Sequence, residues 1–376
     1  MFPNKKHIHD VIIVGAGAAG IGLGVILREL RIANFLILER YQVGGSFLRW
    51  PREMRLITPS FPSNSIGMLD LNSIAIGTSP GYSLGTEHST GKEYAAYLQA
   101  VASHFQQPVK LGVEVRGIEK SDKPGVWIIK TNSGAFATRH LVWAAGEFQY
   151  PRETPFPGSE HCLHTSRVTA WSSYPVEDAV IIGGYESGMD AVINLLTTGK
   201  KVRLFERQAR PDVSSSDPSQ SLSPYTLDRL SALNRQKSWE WISGVDICNV
   251  VRHDKSFMLT DSQGYKYRAK HAPLLATGFE CSAKLVSEHF AWRQDRYPEL
   301  TKDDESTLSS NLFLVGPGVR HDNHIFCFIY KYRQRFAVVA SAIAHRLGHD
   351  TQPLENYRKW GMYLDDLSCC GQDCLC

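Results

Sequence analysis

The stretch Val11-Ile12-Ile13-Val14-Gly15-Ala16-Gly17-Ala18-Ala19-Gly20 decides the fold, because a short β-branched run enters a glycine turn and leaves it as an apolar helical pattern. Nineteen residues beyond Gly20 comes the acid Glu39, which closes the second apolar run Phe35-Leu36-Ile37-Leu38. That order is the β-α-β opening of a nucleotide-binding unit. The chain repeats it about 168 residues later. Val180-Ile181-Ile182 runs into Gly183, Gly184 and Gly188, and Val202-Arg203-Leu204-Phe205 ends on Glu206. A second echo follows each copy. Ile128 to Gly134 reads as a hairpin that climbs to Leu141-Val142-Trp143-Ala144-Ala145-Gly146, and Phe257 to Gly264 climbs similarly to Leu274-Leu275-Ala276-Thr277-Gly278. The expected fold class is α/β, with two Rossmann-like dinucleotide-binding domains.

The first turn satisfies GxGxxG, and the three glycines do different physical jobs. Gly15 makes the tight turn, Gly17 lets backbone approach a pyrophosphate, and Gly20 lets helix and strand pack closely. The helix opening at Ala18 and Ala19 offers free N–H groups and a positive dipole end to the phosphates. Glu39, followed by Arg40, suits the hydroxyls of an adenosine ribose. In the second turn Tyr185 stands where the middle glycine would, followed by Glu186 and Ser187. Glu206 suits an unphosphorylated ribose there, whereas Arg207 and Arg210 could pair with a 2′-phosphate, so the residues leave NADH and NADPH both open.

Three prolines and a glycine between Pro151 and Gly158 mark a linker. After Gly278 no third module starts: Asn311 to Gly316 is one more buried strand, and Ile325 to Leu347 reads as a long helix. The simplest organisation inserts the second domain into the first. Residues 1–150 and 279–350 then form one domain, 151–278 the other, and 351–376 a tail. Thr90-Gly91-Lys92-Glu93 has capping-box spacing ahead of another helix.

The 376 residues, 43% hydrophobic and 21% charged, suit a globular protein, and a net charge of +3 without a basic block argues against a nucleic-acid partner. The longest apolar run, Val11 to Leu27, is broken by five glycines, which argues against a membrane span. A cytoplasmic location is expected. Cys369, Cys370, Cys374 and Cys376 occupy four of the last eight positions, clustering that in a reducing compartment suggests redox or metal chemistry more than structural crosslinks. Their spacing is not that of a zinc finger, so three readings stay open: a redox tail, a soft-metal or metalloid site, and an inert tail. Cys162, Cys248, Cys281 and Cys327 are isolated, with a buried apolar role as the default. His321-Asp322-Asn323-His324, between the strand from Asn311 to Gly316 and the helix from Ile325, reads as a turn rather than as a metal cluster.

Taken together these motifs resemble the two-dinucleotide-binding-domain flavoproteins, the superfamily of pyridine nucleotide-disulfide oxidoreductases that includes thioredoxin reductase-like enzymes and flavin-containing monooxygenases. The resemblance spans about residues 9–346 and includes Gly44-Gly45-Ser46, Ala145-Gly146, Gly278 and Gly316 in the expected order. It implies FAD in the first domain and NAD(P)H in the second. It also implies that Ile325 opens a helix whose N-terminus faces the flavin. Gly45 to Trp50 looks like the monooxygenase branch, but Phe156-Pro157-Gly158 puts Cys162 where the FxGxxxHxxxW fingerprint has its histidine. The second domain lacks the Cys-x-x-Cys of low-molecular-weight thioredoxin reductases. The leading expectation is an FAD-dependent NAD(P)H oxidoreductase that passes electrons through the tail cysteines to a small-molecule or protein disulfide. Oxygenation of a small substrate and soft-metal handling are the alternatives, and a homodimer is among the expected assemblies.

Overall fold

The computed structural model describes residues 7–208, 219–233 and 238–368. They form two units: 7–48, 59–147 and 281–368 in the first, and 49–58, 148–208, 219–233 and 238–280 in the second.

The first unit begins with β1 (Ile8–Val14), whose last four residues are buried, followed by α1 (Ala18–Glu29) and β2 (Phe35–Leu38). From Ala18 to Leu27 every residue of α1 is buried, so this helix is apolar all round and covered on all sides. Next come α2 (Pro80–Leu84) and α3 (Gly91–His104), then β3 (Val109–Lys110), β4 (Val115–Lys120), β5 (Trp127–Thr131) and β6 (Gly134–Trp143). The Thr90 hydroxyl accepts from the Glu93 amide while the Glu93 carboxylate accepts from the Thr90 amide, so the capping box is formed and starts α3 where its spacing predicts.

In the second unit the strands are β7 (Leu163–His164), β8 (Asp178–Ile182), β9 (Lys201–Glu206), β10 (Trp239–Ser243), β11 (Ile247–His253), β12 (Ser256–Asp261), β13 (Lys266–Ala269) and β14 (Leu274–Leu275). Its helices are α4 (Glu186–Thr197) and α5 (Pro224–Leu233). A parallel sheet in the order β10-β9-β8-β14-β7 carries the glycine turn, and β11-β12-β13 forms a separate antiparallel meander. Residues 49–58 belong here because the Glu53 carboxylate accepts from the Trp171 and Ser172 amides at 2.8 and 3.2 Å, and the Arg52 amide donates to the Thr169 carbonyl. The sequence places them in the first domain; the tie that holds them is more than a hundred residues away.

The chain then re-enters the first unit with β15 (Leu312–Leu314), the hairpin β16 (Arg320–His321) and β17 (His324–Ile325), α6 (Ile329–Tyr332), α7 (Phe336–Leu347) and α8 (Leu354–Lys359). Here the sheet order is β3-β2-β1-β6-β5-β4, with β15 alongside the C-terminal half of β6. Strand β6 pairs in parallel with β1 and β15 and antiparallel with β5, so it joins the nucleotide-type sheet to the β4-β5-β6 meander.

Three sequence expectations change here. The long helix does not start at Ile325, which lies in β17; the helical segment begins at Ile329. Asp322, at φ +46°, turns the chain into a hairpin, and His321 is tied at 2.5 Å to the carboxylate of Asp304, which Arg335 also grips through two nitrogens at 3.0 and 2.7 Å. Removing one partner from a buried charge cluster of this kind costs about 3–5 kcal/mol. Residues 351–364 are packed rather than trailing: Leu354, Tyr357 and Met362 are buried, and the Leu364 carbonyl accepts from Arg335 at 2.5 Å. Of the four isolated cysteines only Cys281 is buried; Cys248 is exposed because it sits at a register shift in β11, and Cys162 and Cys327 are half-buried.

Candidate functional site

The two glycine turns are built by the same contacts. At Gly15, φ is +108°, and a Cβ there would lie 2.5 Å from the Ala144 carbonyl oxygen; at Gly183, φ is +110°, and a Cβ would lie 2.4 Å from the Ala276 carbonyl oxygen. Only glycine fits both the backbone and the approach of the neighbouring strand. A Cβ on Gly20 would lie 1.9 Å from the Gly15 oxygen, and one on Gly188 would lie 1.9 Å from the Gly183 oxygen. These glycines are where helix and turn interlock.

In the first unit the turn lies at the C-terminal ends of β1, β6 and β15, the end of an open α/β sheet where ligands bind. Gly17 is the N-cap of α1, no side chain caps that helix, and its first turn carries no acid. A Cβ on Gly17 would meet nothing within 4 Å. Orphan amides at an uncapped N-terminus, with open space in front of them, are what a pyrophosphate needs. Three further segments converge on this end. The Gly44 amide donates to the Ala16 carbonyl at 3.0 Å, which sets the Gly44-Gly45-Ser46 turn beside it. The Gly146 carbonyl, beyond Ala145, accepts from the Ser282 amide at 3.1 Å, and Gly316 faces Ala19 of α1 at 3.3 Å, measured from an added Cβ. Glu39 is buried, and its two carboxylate oxygens accept from the Ala16 and Tyr41 amides, both at 2.8 Å. Arg40 lies over the Tyr41 ring and pairs with Glu114 at 3.5 Å. Ile325 lies in β17, four residues ahead of α6. The donor set and the open cradle fit a dinucleotide such as FAD.

In the second unit Tyr185 takes the place of Gly17 with nearly the same backbone: φ −90°, ψ −168°, against −81° and −169°. That conformation is extended and admits any residue, so the change costs no strain; it costs the space in front of the helix. The Tyr185 hydroxyl donates to the Ser221 carbonyl at 3.0 Å. Glu186 opens α4, and its carboxylate accepts from the Ser223 amide at 2.5 Å and the Thr226 hydroxyl at 2.6 Å. Burial pushes the Glu186 carboxyl above the usual range, and these bonds pull it partly back. Ser187 follows Glu186 in the first turn of α4. Gly278, at φ +77°, presents its carbonyl to the Arg152 amide and to His164.

Glu206 sits against the glycine turn: a Cβ on Gly184 would lie 2.6 Å from its Cδ. Its Oε2 accepts from the Trp241 indole N–H at 2.7 Å. Arg207 is exposed, and Arg210 lies outside the described residues. The unit fits a nicotinamide dinucleotide through Gly183, Gly184, Gly188 and Glu206. Sequence reasoning missed Trp241, Ser223 and Thr226. The first of these carried one signal, an indole on the strand after the ribose acid; the other two sit in a polar segment without periodicity.

Near Gly146 and Gly316 the first unit gathers Glu147, Cys281, Tyr297, Arg320 and Cys327. Burial raises the Glu147 carboxyl, with Arg320 opposing, and pushes the Cys281 thiol up to about 11, which keeps it unreactive. Arg320 stacks on the Tyr297 ring at 3.9 Å. Cys369, Cys370, Cys374 and Cys376 lie outside the described residues. Among the described residues no group of His, Cys, Asp and Glu is arranged to hold a metal ion, and no helix is long and apolar enough to cross a membrane.

A family model described as pyridine nucleotide-disulphide oxidoreductase matches residues 12–316. An uncharacterized CzcO-like oxidoreductase of Geobacillus kaustophilus is 28% identical over 211 residues, covering 53% of this chain and 57% of that protein. The chain therefore spans little more than half of that relative's length. Bacillithiol disulfide reductase Bdr from Staphylococcus aureus superposes with a TM-score of 0.73 at 19% identity, covering 90% of this chain and 99% of that one. A flavin-containing monooxygenase from Stenotrophomonas maltophilia gives 0.68 at 16% identity, covering 90% and 98%. The last two are likenesses of fold.

Proposed function

The chain belongs to the pyridine nucleotide-disulphide oxidoreductase family, an FAD- and NAD(P)H-using class of oxidoreductase, and on that premise we propose that it reduces a disulfide or another thiol-reactive acceptor. The observation that carries this reading is the duplicated turn, in which Gly15 and Gly20 are matched contact for contact by Gly183 and Gly188. When bound, the cofactor pair supplies hydride transfer from nicotinamide to flavin.

The chain's part is to bind and orient. The amides at the start of α1 would take the pyrophosphate of FAD, with Gly17 leaving the approach open. Glu39, already fixed by two backbone amides, would present its carboxylate to the adenosine ribose. Gly183, Gly184 and Gly188 would do the same for NAD(P)H at the start of α4.

Downstream, Cys369, Cys370, Cys374 and Cys376 are the proposed carriers. A tail disulfide accepting two electrons and two protons becomes two thiols. One, as thiolate, attacks the acceptor disulfide, forming a mixed disulfide and expelling one acceptor thiolate. The second tail thiol then attacks the mixed disulfide, releasing the other acceptor thiol and re-forming the tail disulfide. The fold likeness to a bacillithiol disulfide reductase supports a disulfide as acceptor. Anaerobic NADH and NADPH titrations of wild type and the double variant Cys369→Ser/Cys370→Ser test this. The variant should take up about two electrons fewer per chain and lose disulfide turnover. Equal uptake with unchanged turnover removes the tail from the reaction.

A second reading, oxygenation of a small substrate, draws support from the likeness to a flavin-containing monooxygenase. Oxygen consumed with a hydroxylated product, rather than released as hydrogen peroxide, would select it.

A further inference from the structure

We propose that the second unit takes NADH in preference to NADPH, with Glu206 as the residue that reads the adenosine ribose and Trp241 as the residue that positions it. The inference rests on the assignment of a nicotinamide dinucleotide to this unit.

Glu206 is the last residue of β9, 7% exposed, and its carboxylate lies against the α-carbon of Gly184. An added Cβ there would come within 2.7 Å of Oε2. The acid therefore borders the glycine turn and does not wave in solvent. Trp241 lies on β10, which pairs in parallel with β9 so that Ser243 is opposite Glu206, and its indole reaches Oε2 at 2.7 Å. Indole is a donor only, so it fixes one oxygen of an acceptor group. Among the described residues the other oxygen, Oε1, has no hydrogen-bond partner.

A ribose carrying free 2′ and 3′ hydroxyls can donate to such a carboxylate, which makes charge-assisted hydrogen bonds. A 2′-phosphate, with close to two negative charges, would meet the same carboxylate as a like charge in a half-dry setting, a repulsion that costs several kcal/mol at an interface. Selectivity then comes from the repulsive element as much as from the attractive one. Arg207 and Arg210 are the residues that would favour NADPH; Arg207 is exposed and solvated, whereas Glu206 is held in place, and Arg210 lies outside the described residues. Glu39 differs at this point, because each of its oxygens already accepts from one backbone amide of its own unit and keeps one acceptor site for a ribose hydroxyl.

Isothermal titration of the full-length, FAD-loaded chain with NAD+ and with NADP+ reads the selectivity directly. Wild type should bind NAD+ about 100-fold more tightly than NADP+. Glu206→Gln, which keeps the shape and removes the charge, should bring the two within about threefold, chiefly by gaining NADP+ affinity. Trp241→Phe removes the N–H together with part of a ring packed on the core and on Trp239, so the melting temperature should fall; the NAD+/NADP+ ratio should also narrow by about tenfold, a change that lost packing alone would not make. Equal affinities in wild type, or NADP+ preferred, would overturn the ribose assignment alone. If neither dinucleotide binds, the dinucleotide reading of the second unit fails and takes this inference with it.

Discussion

The two glycine turns share their backbone and differ in what stands in front of it. Gly15 and Gly183 pack on the Ala144 and Ala276 carbonyls, and Gly20 and Gly188 interlock with them at matching distances. The first turn then leaves its helix N-terminus bare, whereas the second puts Tyr185 and Glu186 there and hydrogen-bonds both to residues 221–226. The glycines that shape the backbone cannot change without breaking the turn. The N-cap position, extended in both copies, can change without backbone strain, and that is where the two copies diverge.

The largest expected effect comes from the interlocking glycines. Gly20→Ala should cost about 3 kcal/mol or more, since its methyl would sit 1.9 Å from a backbone oxygen, and the purified protein should retain no flavin. Gly17→Ala meets open space and should cost only the N-cap preference for glycine, under about 1 kcal/mol, while lowering FAD affinity by about tenfold. Denaturant melts and flavin content of the two variants check the contrast. Equal destabilisation would mean that the turn tolerates a Cβ at one site no better than at the other.

A moderate effect is expected from making the second turn more like the first. Tyr185→Gly keeps a residue acceptable at an N-cap and opens the space before α4, so NAD+ should bind about three- to tenfold more tightly by titration. Weaker binding would show that the ring is a ligand contact.

The smallest effect is a pH dependence. Burial raises Glu186 above its unfolded value, so the folded chain holds this proton more tightly and loses stability as pH rises from about 4.3 through the folded pKa. Glu186→Gln removes that loss. Its melting temperature relative to wild type should therefore climb between about pH 4 and pH 7, and a flat difference would contradict the assignment.

What could be read in advance was local. Both turns, the Thr90 capping box and the two hairpins are set by residues within a few positions of one another. The features that escaped depend on partners far along the chain. Asp304 fixes the hairpin that displaces the helix start from Ile325 to Ile329, Glu53 ties residues 49–58 to Trp171, and Trp241 reaches Glu206 across neighbouring strands. No hydrophobic period encodes such contacts. The core of each site was legible because glycine turns announce themselves. The residue that tunes the second one was not, because an indole on a strand looks like core.

Binding of FAD at the bare N-terminus of α1 is the claim on which the rest depends. Titrating FAD into the apoprotein of wild type and of Gly17→Glu, with flavin absorbance and fluorescence as readouts, tests it most directly. One FAD per wild-type chain is expected and none for the variant, whose carboxylate would face the pyrophosphate, with the two apoproteins melting alike. Wild type that takes up no flavin, or a variant that binds FAD as tightly as wild type, would contradict it.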